Sequence, residues 1–271
     1  MKASFDATGE VVVVTGGARG IGAALAAAVA RLGGTAVVFD VHAPEPKPVG
    51  DSAPSTEPNP IGNAAPGSEP KSGGDAAGRV EYVEVDVADR DAVGKAVAGV
   101  IERHGRIDGL VAGAAIQPRN PVLSTDPEEW TGVLNVNLDG VVWTCQAVVP
   151  HMIERRSGSV VVFTSGLAQT GYPGAAAYAA SKAALTAFAK TLAAEVAEHR
   201  VRVNVIAPGV VDTDQFRAAN PGADLDHWRS TTGVGDPDDV VGPLLFLLSD
   251  AAGMTGSQLT RERAFGRLTD F

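Results

Sequence analysis

Tyr178 and Lys182 stand four residues apart in Tyr178-Ala179-Ala180-Ser181-Lys182. In a helix that spacing puts both side chains on one face, and the Ala-rich surroundings predict a helix over 175–198. A phenol ordinarily has a pKa of about 10 and carries few protons at neutral pH. A cation one turn away stabilises the phenolate and is expected to bring that pKa toward the working range. Ser165 follows the apolar run Val160-Val161-Val162-Phe163, where a strand would deliver a hydroxyl to the edge of a sheet. A hydroxyl donor beside a tunable phenol is what carbonyl/alcohol interconversion requires. An exposed helical Tyr–Lys pair would have the same spacing, so the rest of the chain has to decide.

The elements around this pair alternate strand and helix. Val11-Val12-Val13-Val14 is a β-branched run suited to a strand buried on both faces. It leads into Thr15-Gly16-Gly17-Ala18-Arg19-Gly20-Ile21-Gly22 and an Ala/Leu-rich helix ended by Gly33-Gly34. A strand, a Gly-rich turn and a helix in that order can cradle a pyrophosphate, because the backbone comes close and the helix N-terminus offers N–H donors. A second apolar strand ends in Asp40, about 20 residues past the turn, where a carboxylate can grip adenosine-ribose hydroxyls. A third strand over 80–86 puts Asp86 at its carboxyl end, and a fourth over 107–112 precedes the small-residue turn Gly113-Ala114-Ala115.

A single helix is predicted over 126–152, although it contains Asn135-Val136-Asn137. Asparagine is unfavourable inside a helix, which points to a specific use. Strands are predicted over 160–164 and 201–206, then an irregular polar segment over 207–235, a helix to 248 and a short strand at 256–259. Residues 43–78 are rich in Pro, Gly, Ser, Ala, Asp and Glu and lack aromatic side chains. They are expected to be a disordered insertion within one domain spanning 1–271.

With 271 residues, 45% hydrophobic and 20% charged, the chain has the composition of a globular α/β domain. Its net charge of −10 argues against nucleic acid or an anionic membrane as main partner. The single cysteine, Cys145, rules out an intramolecular disulfide and fits a reducing cytoplasm. No signal peptide, membrane span or metal-ligand cluster is expected.

Taken together, Thr15-Gly16-x-x-x-Gly20-x-Gly22, Asp40, Asp86, Asn137, Ser165, Tyr178-x-x-x-Lys182 and Pro208-Gly209-x-x-x-Thr213 resemble the short-chain dehydrogenase/reductase family in its short single-domain form. The resemblance implies a Rossmann-type, doubly wound parallel sheet of about seven strands. It implies Tyr178 as general acid/base, Ser165 on the substrate oxygen, and Lys182 lowering the Tyr178 pKa and holding the nicotinamide ribose. Asn137 would anchor a water in a proton relay. An NAD site is implied at Gly16, Arg19, Gly20, Ile21, Gly22, Asp40, Asp86, Val87, Ala112, Gly113, Tyr178, Lys182, Pro208, Gly209, Val211 and Thr213. A homotetramer or homodimer built on the helices of Asn137 and Tyr178 is implied as well. The chain departs from the family at Ala112-Gly113-Ala114-Ala115, where Asn-Asn-Ala-Gly is usual, and near the C-terminus, where Asp-Gly-Gly is absent. The first departure removes side-chain amides that hold neighbouring strands.

These features point to an NAD-dependent oxidoreductase acting on a secondary alcohol or ketone. The alternative is a catalytically silent dinucleotide-binding sensor or scaffold; retention of Asn137, Ser165, Tyr178 and Lys182 weighs against it. An epimerase or dehydratase of the larger sugar-nucleotide branch shares the Tyr/Lys pair, but the Gly spacing and the lack of a C-terminal substrate domain disfavour it. Gln117, Gln169, Tyr172, Phe216 and Trp228 are the expected substrate lining.

Overall fold

In a computed structural model, residues 4–42 and 78–261 are described. Their strands are β1 (Val11–Thr15), β2 (Thr35–Asp40), β3 (Arg79–Glu84), β4 (Gly109–Ala112), β5 (Gly158–Phe163), β6 (Val201–Ala207) and β7 (Gln258–Thr260). The helices are α1 (Gly20–Arg31), α2 (Arg90–His104), α3 (Pro127–Leu134), α4 (Gly140–Arg155), α5 (Leu167–Thr170), α6 (Ala176–Val196), α7 (Asp214–Ala219), α8 (Leu225–Thr231) and α9 (Asp238–Leu248). The seven strands form one parallel sheet in the order β3-β2-β1-β4-β5-β6-β7. The order reverses between β1 and β4, and a ligand crevice opens beyond the strand carboxyl ends at such a point.

Alternation along the strands divides the core in two. Val11, Val13, Val37 and Phe39 face α2, α4 and α6; Val12, Val14, Ala36 and Val38 face α1 and α9. Both faces are covered, which is why β1, β4 and the middle of β2 are continuous apolar runs. At the amino-terminal rim, Asp108 ties the sheet together. Its carboxylate accepts Val11 N–H at 2.9 Å and a bidentate pair from Arg106 at 2.7 Å, with Arg155 at 3.3 Å.

The expected single helix over 126–152 is three pieces. Asp126 caps α3 by accepting from Glu128 N at 2.8 Å, and a π-helical turn at Asn135–Asp139 separates α3 from α4. The wide turn lets the Asn137 side chain leave the helix wall, which an α-helical position would oppose. The segment over 207–235 is more regular than expected. Thr213 caps α7 through Phe216 N, and Asp224 caps α8 through Asp226 N and His227 N. Both helices are too short to show a hydrophobic period, so only their caps signal them. The insertion expected over 43–78 lies outside the described residues except for Gly78, as does the tail beyond Arg261.

Candidate active site

Apart from Gln169, Ala112 and Asn137, treated below, the side chains and turns singled out by the sequence converge on one cleft of about 400 Å³ at the carboxyl rim. At its cofactor end, Gly16 has φ +70°, and a Cβ there would lie 2.7 Å from Ala114 Cα. A Cβ on Gly22 would come within 2.7 Å of the Gly16 carbonyl oxygen. Side chains are therefore excluded where the turn folds against α1. Arg19 precedes α1 in an extended conformation without a side-chain cap, and Gly20, Ile21 and Gly22 line the cleft. A bare backbone turn opening a 12-residue helix fits a pyrophosphate.

Asp40 stands at the end of β2. Its carboxylate accepts Ala18 N–H at 3.0 Å and His42 N–H at 3.2 Å, which fixes the carboxylate beside the turn. Asp86 accepts from Ala88 N at 2.9 Å, and Asp86 and Val87 line the cleft with Gly113, Pro208, Gly209, Val211 and Thr213. The residues present fit a dinucleotide. Among the described residues, no group of three or more His, Cys, Asp or Glu side chains could hold a metal ion, and no helix is long and apolar enough to cross a membrane.

The departure at 112–115 has a local substitute. Thr15, 2% exposed at the end of β1, accepts N–H bonds from Gly113 at 3.1 Å and Ala114 at 3.2 Å through its hydroxyl. One hydroxyl thus joins the turns after β1 and β4. At the C-terminal departure, Arg261 donates to the Pro208 carbonyl at 2.8 Å and its N–H reaches Ala207 O at 2.9 Å. This holds the Pro208-Gly209 turn.

At the chemical end, α6 presents Tyr178 and Lys182 on one face, and Ser165 reaches them from the end of β5. The Ser165 hydroxyl sits in the cleft beside the Tyr178 phenol and accepts Leu167 N–H at 3.2 Å. Lys182 is 2% exposed and donates to the Phe163 carbonyl at 3.0 Å, with its ammonium 5.8 Å from the centre of the Tyr178 ring. Burial pushes the Tyr178 pKa above its ordinary value; the Ser165 hydroxyl and the Arg119 charge oppose that rise. Burial pulls the Lys182 pKa down to about 8. The expected fall in the Tyr178 pKa under the influence of Lys182 is therefore not found: desolvation outweighs it, and the cation opposing desolvation is Arg119.

Three expected site residues lie outside the cleft wall. Gln169 is exposed on α5, and Leu167 of that helix faces the cleft instead. Ala112 is buried in the core. Asn137 is fully buried behind the wall: its amide oxygen accepts Ile116 N–H at 2.8 Å, and its NH₂ donates to Ile116 O at 2.9 Å and Ser181 Oγ at 3.3 Å. Its side chain braces the loop after β4, while Val136 and Ile116 face the cleft. Gln117, Tyr172, Phe216 and Trp228 do line it, the last two ring to edge at 5.7 Å. Arg119, which the sequence leaves with Arg217 and Arg229 as a cation within reach of the pocket, also lines it, as does Asn220, which no motif marks; the two meet only because α7 folds over the β4 loop.

Cys145 is buried, with its thiol pKa pushed up to about 12, and is an inert core residue.

A doubly wound sheet with a phosphate cradle at its switch point and a Ser–Tyr–Lys cluster beside it defines a nicotinamide-dinucleotide oxidoreductase. The sequence profile of the short chain dehydrogenase family matches residues 64–224. The chain belongs to that family of oxidoreductases. It is similar to a 3-oxoacyl-[acyl-carrier-protein] reductase of Chlamydia pneumoniae, 31% identical over 252 residues covering 92% of this chain and 94% of that protein. It is similar also to a 5-keto-D-gluconate 5-reductase of Escherichia coli, 30% identical over 263 residues covering 96% of each. Among solved structures it resembles an aldohexose dehydrogenase of Thermoplasma acidophilum, with TM-score 0.76 and 26% identity over 95% of this chain and 94% of that one.

Proposed function

We propose that this chain interconverts a secondary alcohol and a ketone with NAD as cofactor, and that Tyr178 is the general acid/base. The observation that carries the reading is that Ser165 and Tyr178, with Lys182 one helical turn on, line the same cleft as the Gly-rich turn and Asp40. The relatives named as reductases of 3-oxoacyl and keto-gluconate substrates support the carbonyl chemistry. Bound along the cleft, a nicotinamide dinucleotide supplies or accepts the hydride.

The protein supplies the rest. Gly16, Arg19, Gly20, Ile21 and Gly22 hold the pyrophosphate, Asp40 the adenosine ribose, Asp86 and Val87 the adenine. Gly113, Pro208, Gly209, Val211 and Thr213 enclose the nicotinamide half. Ser165 donates to the substrate oxygen and fixes it against Tyr178. Tyr178 gives its proton to that oxygen in reduction and takes it back in oxidation. Lys182 spends one N–H on Phe163 and directs the others toward the nicotinamide ribose. Asn137 is a positioning residue acting through Ile116. The 43–78 stretch is read as an insertion in a single domain, and the assembly as a cytoplasmic homotetramer or homodimer. Support for these comes from composition, the single buried cysteine and the family resemblance.

Tyr178→Phe tests the reading, because it keeps the ring and removes only the ionisable hydroxyl. Turnover should fall by at least ~10²-fold, the usual scale for a positioned acid/base, with NADH binding by fluorescence retained. Turnover within a few-fold of the parent would remove Tyr178 from the mechanism.

A further inference from the structure

Arg119 sits on the cleft wall in a state that calls for a partner. Its Nε donates to the Ala219 carbonyl at 3.1 Å and its Nη2 to Asn220 Oδ1 at 3.1 Å, both on the far side of the cleft mouth at the end of α7. Its Nη1 is buried without a hydrogen-bond partner. The Tyr172 ring covers one face of the guanidinium at 4.7 Å, and Tyr172 is 44% exposed. Among the described residues Arg119 forms no ion pair, although Asp214 lines the same cleft. Both polar partners are neutral, so the positive charge is positioned but not neutralised, and burial holds its pKa below the ordinary arginine range.

A rigid guanidinium with three unused N–H bonds, two of them on Nη1, is a receptor for a planar anion. A structural latch between the β4 loop and α7 would need only the two bonds already made. Arg119 lines the same cleft as Ser165 and Tyr178, so an anion held on it shares that cleft with the reacting oxygen. From this geometry we infer that Arg119 binds the carboxylate of a substrate whose carbonyl lies one or two bonds away, so that the substrates are short 2-oxo or 3-oxo acids and the matching hydroxy acids. The carboxylate meets the in-plane N–H edge of the guanidinium, and the half-exposed Tyr172 ring shifts along its face to admit it. This inference rests on the carbonyl/alcohol reading above and names its substrate class.

The test compares 2-oxobutanoate and 3-oxobutanoate with their methyl esters, each with NADH and NADPH, on the parent chain, Arg119→Met and Arg119→Lys. The acid-to-ester ratio of kcat/KM serves as an internal control, since damage to the fold lowers both rates. The parent should favour one of the acids by at least ~10-fold, the scale of one charge-assisted pair. Arg119→Met should lower that ratio at least ~10-fold, mainly through KM, with Arg119→Lys between the two. A parent that favours the esters, or a ratio that Arg119→Met leaves unmoved, would overturn the assignment. Calorimetric titration of 2-hydroxybutanoate and 3-hydroxybutanoate into the NADH-loaded protein adds a readout without turnover, because alcohol and reduced cofactor cannot react. Binding weakened at least ~10-fold in Arg119→Met supports the site; binding of neither acid rejects it. Ester turnover without acid preference rejects Arg119 alone. Acid binding with no turnover of any carbonyl rejects the oxidoreductase reading and keeps the anion site.

Discussion

Lys182 illustrates how a residue of this site is held against its own solvation. Its ammonium is buried with one protein acceptor, the Phe163 carbonyl, and its pKa falls from 10.5 to about 8. For a base, a lowered folded-state pKa means that the unfolded chain binds the proton more tightly. The cost to stability is therefore complete below about pH 8 and fades as pH rises toward 10.5. That shift corresponds to about 3 kcal/mol at pH 7, offset by roughly 1 kcal/mol from the hydrogen bond. Lys182→Met should thus be more stable than the parent in urea melts at pH 7 and lose that advantage near pH 10.5, while losing activity. A variant less stable at both pH values would show that the ammonium stabilises the fold. Asp40 acts by the opposite sign of charge. Its carboxylate, fixed beside the Gly-rich turn, meets the 2′-phosphate of NADP with a repulsion of ~4 kcal/mol at ~4 Å and an effective dielectric of 20. Arg19 lines the same cleft and offsets part of it. NAD should be preferred over NADP by at least ~10²-fold in kcat/KM, and Asp40→Ser should narrow the gap by improving NADP. Equal use of the two cofactors would make Arg19 dominant.

Among the elements, the turns after β1 and β4 depend on Thr15. Thr15→Val keeps the shape and leaves the Gly113 and Ala114 N–H groups without their acceptor, each at ~1–3 kcal/mol. Thermal melting should drop by several degrees, and Thr15→Ser should recover most of it. A valine variant melting with the parent would mean that water or a shift of the turn replaces the bond. Strands and long helices were legible because their apolar periods are imposed by burial on one or two faces. The π turn at Asn135–Asp139 was not, since nothing in a period of 3.6 announces one extra residue; the two asparagines were its only trace. The compensation by Thr15 was equally hidden, because it links positions about a hundred residues apart.

At the scale of the molecule, the resemblance carried by ordered motifs located the fold, the cradle and the Ser–Tyr–Lys cluster. Gln169, Ala112 and the Asn137 side chain lie outside the cleft wall, a placement that depends on which way a side chain leaves its element. Arg119 was visible only as a nearby cation; its unpaired N–H group requires α7 in place. Because every strand runs the same way, chemistry and anchorage occupy opposite rims. The cleft collects at the carboxyl ends, while Asp108, Arg106, Val11 and Arg155 lock the amino ends. Mutational drift can therefore retune substrate choice in the β4 loop, α7 and α8 without loosening that lock. An engineer wanting a hardier catalyst has a rim to work on that never meets the reactants.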